Sequence, residues 1–195
     1  MKRNRQTFLT PDEVLVVLRA AKDHSIRVWA MVLVCYAHGL RASEVCGLRL
    51  SDVDLRNKQM TIRRLKGSLT TTQPLLHLPG QPLLHELAAL KAYLAERQDD
   101  GSGYLFLSQK GGGLDRSAFF RLFQSVAEAA GLPPNKRHCH VLKHARASNL
   151  IAGGASVPEV AQSLGHASWK STMRYVGVSD EQAAKAAQKA TMAVF

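Results

Sequence analysis

The chain has 195 residues, 46% of them hydrophobic, which is enough for one large domain or two small ones with a real core and excludes an intrinsically disordered chain. Its 26 Lys and Arg against 15 Asp and Glu give a net charge of +11 and point to a polyanionic partner, while 6% aromatic residues disfavour a stacking platform built on many rings. No apolar run nears the ~20 residues needed to span a bilayer, and "MKRNRQTFLT" lacks an apolar signal core, so a cytoplasmic, nucleoid-associated bacterial protein with no membrane partner is expected.

Thr10, Pro11 and Glu13 supply an N-cap, a first-turn proline and a capping-box carboxylate, predicting a helix through "VLVVLRAAK". "IRVWAMVLVCYAHG" is apolar nearly all round and stops at Gly39, the pattern of a central core helix, and a third helix begins near Ser43. "QMTIRRLK" and "TTQPLLHLP" predict two strands around a polar turn at Gly67 and Ser68, with the aspartates of "LSDVDL" just before them, and so a small antiparallel sheet. Helical patterning resumes in "PLLHELAALKAYLAERQ", breaks at "DDGSG" and returns in "SAFFRLFQSVAEAAG", with Phe120, Phe123 and Ala127 on one face. Gly153 and Gly154 end the helix that carries Lys143, Pro158 and Glu159 start another, and Ser179 with Gln182 caps an Ala-rich tail helix. With no repeat or interdomain linker, the expected architecture is one α+β domain, mainly α-helical with a small three-stranded antiparallel sheet.

Cys35, Cys46 and Cys139 are an odd set, the first two among apolar residues, and predict buried thiols and no disulfide. "HCH" looks like a ligand cluster, but His138 and His140 share a face only on a strand and nothing completes a tetrahedron, so no zinc is expected. The aspartates of "SDVDL" read as turn residues rather than a magnesium site. Neither a metal nor a cofactor is expected.

Four separated pieces then carry chemistry together. "HGLRASEV" puts Arg41 after a helix-ending glycine and at the start of the next helix, where backbone N–H groups also favour an anion. "RRLKGS" puts Lys66 at a hairpin tip, "HVLKH" sets His140 and Lys143 one turn apart, and "LGHASWKSTMRYV" sets Tyr175 nine residues beyond His166. Each piece alone has an ordinary reading: a capped helix start, a solvated turn lysine, an exposed helix face, a half-buried tyrosine.

In this order and spacing, from about Phe8 to Tyr175, the pieces resemble the tyrosine recombinase (phage integrase) family, and most of all its short fimbrial phase-switch invertases. The family's hallmark is Arg, Lys, His-x-x-Arg, His or Trp, and a nucleophilic Tyr. The resemblance implies the DNA breaking-rejoining catalytic fold over residues 1–195, with a basic arm at 1–9, a C-terminal docking helix at about 180–195 and no N-terminal core-binding domain. It implies a site-specific DNA recombinase in which Tyr175 attacks a phosphate to give a 3′-phosphotyrosyl link and a free 5′-hydroxyl, for inversion, integration or excision. Carried over residue by residue, Arg41 clamps the non-bridging oxygens, Lys66 protonates the leaving oxygen, His140 assists proton transfer and His166 donates to the phosphate. Glu44 either orients Arg41 or is a first-turn carboxylate favoured by the helix dipole. Lys2, Arg3, Arg5, Arg63 and Arg64 are expected DNA contacts. The implied partner is double-stranded DNA at inverted-repeat sites, bound by a tetramer that assembles from monomers.

Lys143 departs from the pattern, because the family usually has an arginine there; lysine keeps the charge and loses the two-pronged fork. Three readings compete: an active enzyme with a single-pronged contact, a weakened or dead DNA binder or altered copy, or a site in which Arg146, one turn on, supplies the guanidinium. The alternatives from other classes are a DNA-binding regulator that lost strand transfer and an RNA-binding protein, the latter with no stacking-aromatic motif in its favour.

Overall fold

The computed structural model describes residues 8–65, 68–166, 168, 170–173, 188, 191 and 192. Helix α1 (Pro11–His24) opens as its capping box dictates: the Thr10 N–H donates to Glu13 Oε2 at 2.8 Å, and the Glu13 N–H donates to Thr10 Oγ1 at 3.2 Å. Helix α2 (Ile26–Ala37) buries all of residues 28–37 and packs against α1, α4 (Glu86–Glu96) and α6 (His140–Ala152), so it is the axis of the core. Among the polar groups it carries inward, the Trp29 indole N–H donates to the Leu83 carbonyl at 3.1 Å. Gly39, at φ +56°, turns the chain out of α2 into the short helix α3 (Ala42–Cys46).

Strands β1 (Val53–Asp54), β2 (Gln59–Ile62) and β3 (Thr71–Pro74) form an antiparallel sheet in the order β1-β2-β3, with Val53 opposite Met60 and Ile62 opposite Thr71. Alternation sends Met60 and Ile62 into the core, which ties the sheet to the helices and hangs the β2–β3 hairpin at their side. The helix expected from Pro82 begins only at Glu86. Pro82–Leu84 is a tight 3-10 turn, and His85 Nδ1 then caps α4 by accepting from the Ala88 N–H at 3.2 Å.

Helix α5 (Arg116–Ala129) corrects one expectation. Its buried stripe is Phe119, Phe123, Val126 and Ala127, whereas Phe120, 100° further round, lies at the stripe's edge and is 41% exposed. Helix α7 (Val157–Ser163) starts from a Ser156–Glu159 capping box and meets α6 through a small separate apolar cluster of Ala147, Val160 and Leu164. Helix α8 (Lys170–Met173) follows. All three cysteines are buried free thiols, and burial pushes Cys46 up to about 12, which leaves it unreactive. No helix among the described residues is long and apolar enough to cross a membrane. The expected tail helix and its Ser179 and Gln182 cap fall outside the described residues.

Candidate active site

Arg41 is fixed before any ligand arrives. Its backbone N–H donates to Glu44 Oε2 at 2.8 Å and its guanidinium Nη1 donates to Glu44 Oε1 at 2.7 Å, while the arginine stays 30% exposed and the carboxylate almost wholly buried. Glu44 therefore touches both the first turn of α3, through the Arg41 N–H, and the Arg41 guanidinium. Burial works against its charge, but the donors from Arg41 and the cations of Arg64 and Lys143 outweigh that and hold the carboxyl below its ordinary value.

Arg64, expected among the DNA contacts, is a strut inside the protein. Its guanidinium is wholly buried and donates to the carbonyls of His38 (2.8 Å), Gly39 (3.2 Å) and Ser163 (2.9 Å) and to Glu44 Oε2 (3.3 Å), so no phosphate can reach it. A basic dipeptide at a strand end does not say which member points inward; the pleat decides it. Its neighbour Arg63 faces out, 61% exposed, with Nη2 2.9 Å from Asp52 Oδ1, and stays available to an anion.

Lys143 is also buried, and its Nζ donates to the Leu164 carbonyl at 3.3 Å. Burial first, then the charges of Arg64 and Arg41, press its ammonium down to about 8, against which Glu44 pulls the other way. His140 opens α6 on the same side and is likewise lowered, by burial and then by His138, Lys143 and Arg41. Arg41, His138 and His140 line one hollow of about 650 Å³ with Arg116, Phe120 and Arg121 of α5. Sequence reasoning missed those three α5 residues. The available signal was an exposed Phe flanked by arginines in "RSAFFR", read only for its apolar period. Arg146 does not join them: it lines a separate groove of about 920 Å³ between β3 and α7, its guanidinium 5.8 Å above the Tyr36 ring.

His166 ends a segment held carbonyl by carbonyl. Ser163 O accepts from Arg64 and from Gln73 Nε2 (2.7 Å), Leu164 O from Lys143, and Gly165 O from the Leu69 N–H (3.2 Å). The His166 ring itself is half-buried, with Nδ1 2.9 Å from Thr172 Oγ1. Lys66, Tyr175, Lys2, Arg3 and Arg5 lie outside the described residues. Among those described, no three His, Cys, Asp or Glu side chains come together as a metal site. A hollow with an aimed guanidinium, two more arginines and imidazoles can bind a phosphate group and move protons around it.

Residues 7–182 match the model of the phage integrase family. The chain belongs to that family. Among family members, the type 1 fimbriae regulatory protein FimB of Escherichia coli K12 is 36% identical over 173 residues, covering 88% of this chain and 84% of FimB. The tyrosine recombinase XerD of Mycobacterium tuberculosis is 34% identical over 184 residues, covering 88% of this chain and 56% of XerD. The crystal structure of XerA recombinase superposes with a TM-score of 0.80 at 28% identity, over 97% of this chain and 65% of that one. This phage integrase chain therefore spans most of the fimbrial relative and under two thirds of the Xer relatives. XerH bound to its difH substrate, at 23% identity and a TM-score of 0.74 over 96% of this chain and 55% of that one, shares the fold.

Proposed function

We propose that this chain is a tyrosine-type site-specific recombinase that cuts and rejoins double-stranded DNA. The observation that carries the reading is the hollow where Arg41, preset by Glu44, stands beside His140, with Lys143 buried behind them. A phosphodiester between these groups has its non-bridging oxygens met by Arg41, and His166, at the end of its pinned segment, donates to the same phosphate. The Tyr175 hydroxyl attacks phosphorus, its proton passing towards His140. The bond to the 5′-oxygen breaks as Lys66 protonates that oxygen, leaving a 3′-phosphotyrosyl link and a free 5′-hydroxyl. A 5′-hydroxyl from a second strand reverses the step, so the bond energy is kept and no nucleotide triphosphate is consumed.

XerH in its solved complex is bound to its difH substrate, the Tn1549 transposon integrase is solved in complex with circular intermediate DNA, and FimB is named for fimbrial regulation. For this chain the corresponding partner is duplex DNA at inverted-repeat sites in the cytoplasm, bound by monomers that assemble into a tetramer. Incubation with a nicked half-site duplex, which traps the covalent intermediate, is the test. The wild-type chain forms a protein–DNA adduct, and Tyr175→Phe binds the same duplex and forms none. A Tyr175→Phe protein that still forms adducts, or a wild-type chain that never does, overturns the reading, the latter in favour of a DNA-binding regulator.

A further inference from the structure

His38 precedes Gly39 at the exit of α2 and is 2% exposed, a titratable ring in the core that the reaction above does not use. Its two nitrogens face two side chains: Nδ1 lies 2.9 Å from Gln73 Oε1 and Nε2 lies 2.8 Å from Glu86 Oε1. What those partners can offer is settled by their other bonds. Gln73 Nε2 lies 2.7 Å from the Ser163 carbonyl, which can only accept, and 2.9 Å from Thr71 Oγ1. Turning the amide over would set its oxygen against the Ser163 oxygen, so the oxygen of Gln73 faces His38 and must receive a proton from it. Glu86, wholly buried, receives the Leu76 N–H on Oε2 at 2.7 Å and turns Oε1 to His38 Nε2. The Nδ1 position of the ring therefore carries a proton and donates it to Gln73 of β3, while the Nε2 side ties the ring to α4.

We propose that His38 is a positioning residue for His166: its Nδ1–H locks the Gln73 amide in the one orientation that holds the Ser163 carbonyl, three residues before His166. The charged groups placed against it are Glu86 of α4 at the ring and Arg64 at its own carbonyl, and Arg64 donates to the same Ser163 oxygen as Gln73. One cation thus joins the turn that sets Arg41 to the segment that ends in His166. The two are far apart in sequence, and their relative placement decides whether both reach one phosphate. A ring without its Nδ1 proton would leave that hydrogen bond unmade in a site sealed from water, and the amide of Gln73 would lose its lock.

The inference rests on the recombinase reading only for its activity arm. Nitrogen-15 NMR of the folded full-length wild-type chain, without DNA, is expected to show a proton on Nδ1 of the His38 ring. A bare Nδ1 overturns the proposal whether or not the chain cleaves DNA. In the nicked half-site assay, His38→Leu and Gln73→Leu are each expected to slow adduct formation roughly tenfold, the effect of one lost buried hydrogen bond, with unchanged duplex affinity. The double variant is expected to be no slower than either single. Fully additive losses, or losses that follow duplex affinity, overturn the positioning role. A wild-type chain without adducts defeats the recombinase reading instead, and the state of Nδ1 still decides whether His38 locks Gln73.

Discussion

The ammonium of Lys143 donates to the carbonyl of Leu164 at 3.3 Å from inside the core, two residues short of His166. Its folded value, about 8, lies below its ordinary value of 10.5, so between those limits the unfolded chain binds more protons and stability rises with pH. At about 1.4 kcal/mol per pKa unit, the charged lysine costs the fold on the order of 3 kcal/mol at neutral pH, part of it returned by the bond to Leu164. Lys143→Met is expected to raise the urea midpoint at pH 7, by about 1–2 kcal/mol of stability, and to flatten the rise between pH 8 and 10 while stopping adduct formation. A variant that unfolds at lower urea than wild type would show the ammonium to be a net support.

Arg64 and Arg63 are adjacent in sequence and opposite in role. Arg64→Ala leaves a buried carboxylate and three carbonyls short of donors and is expected to lose about 3–5 kcal/mol in chemical denaturation. Arg63→Ala is expected to lose less than ~1 kcal/mol and, on duplex DNA, to lower the log–log salt slope by about 0.9. An Arg64→Ala protein of wild-type stability with a reduced salt slope would restore the reading in which Arg64 meets DNA.

The neighbouring phenylalanines of α5 separate core from surface. Phe119→Ala is expected to cost about 3–5 kcal/mol by opening a cavity. Phe120→Ser, at a position 41% exposed, is expected to change stability by less than ~0.5 kcal/mol, read in the same denaturation series. Equal losses at the two positions would place the buried stripe differently.

Gly39 carries a backbone φ of +56°, and a Cβ there would lie 2.3 Å from Leu164 Cδ2. Gly39→Ala must therefore strain the turn and push on the residue whose carbonyl Lys143 holds. The expected outcome is a loss of about 2 kcal/mol or more, with a slower adduct rate per folded molecule in the half-site assay, because Arg41 and His166 both lie within two residues of the disturbed pair. A stable variant with an unchanged rate would show that the two segments move independently.

Much of this protein is legible in its sequence because the signals are local. The Thr10–Glu13 box, the unbroken apolar run of α2, Gly39 and the Ser156–Glu159 start each act within one turn of chain, and each element forms where they place it. The grouping of Arg41 with His140 followed from a recognisable order of motifs, and Glu44 beside Arg41 from a spacing of three. What only tertiary structure decided is which charges are solvent-facing and which are internal. Arg64 and Arg63 carry the same group one residue apart, and the extended chain just after β2 sends one towards Glu44 and the other outward. Phe120 fits the apolar period of α5 but misses the stripe that α1 and α3 cover, and so faces the hollow. Burial of Lys143, the separation of Arg146 into another groove and the His38–Glu86 pair depend on contacts between residues distant in the chain. No periodicity encodes those, because they arise only when α2, β3, α4 and the segment before His166 close on one another.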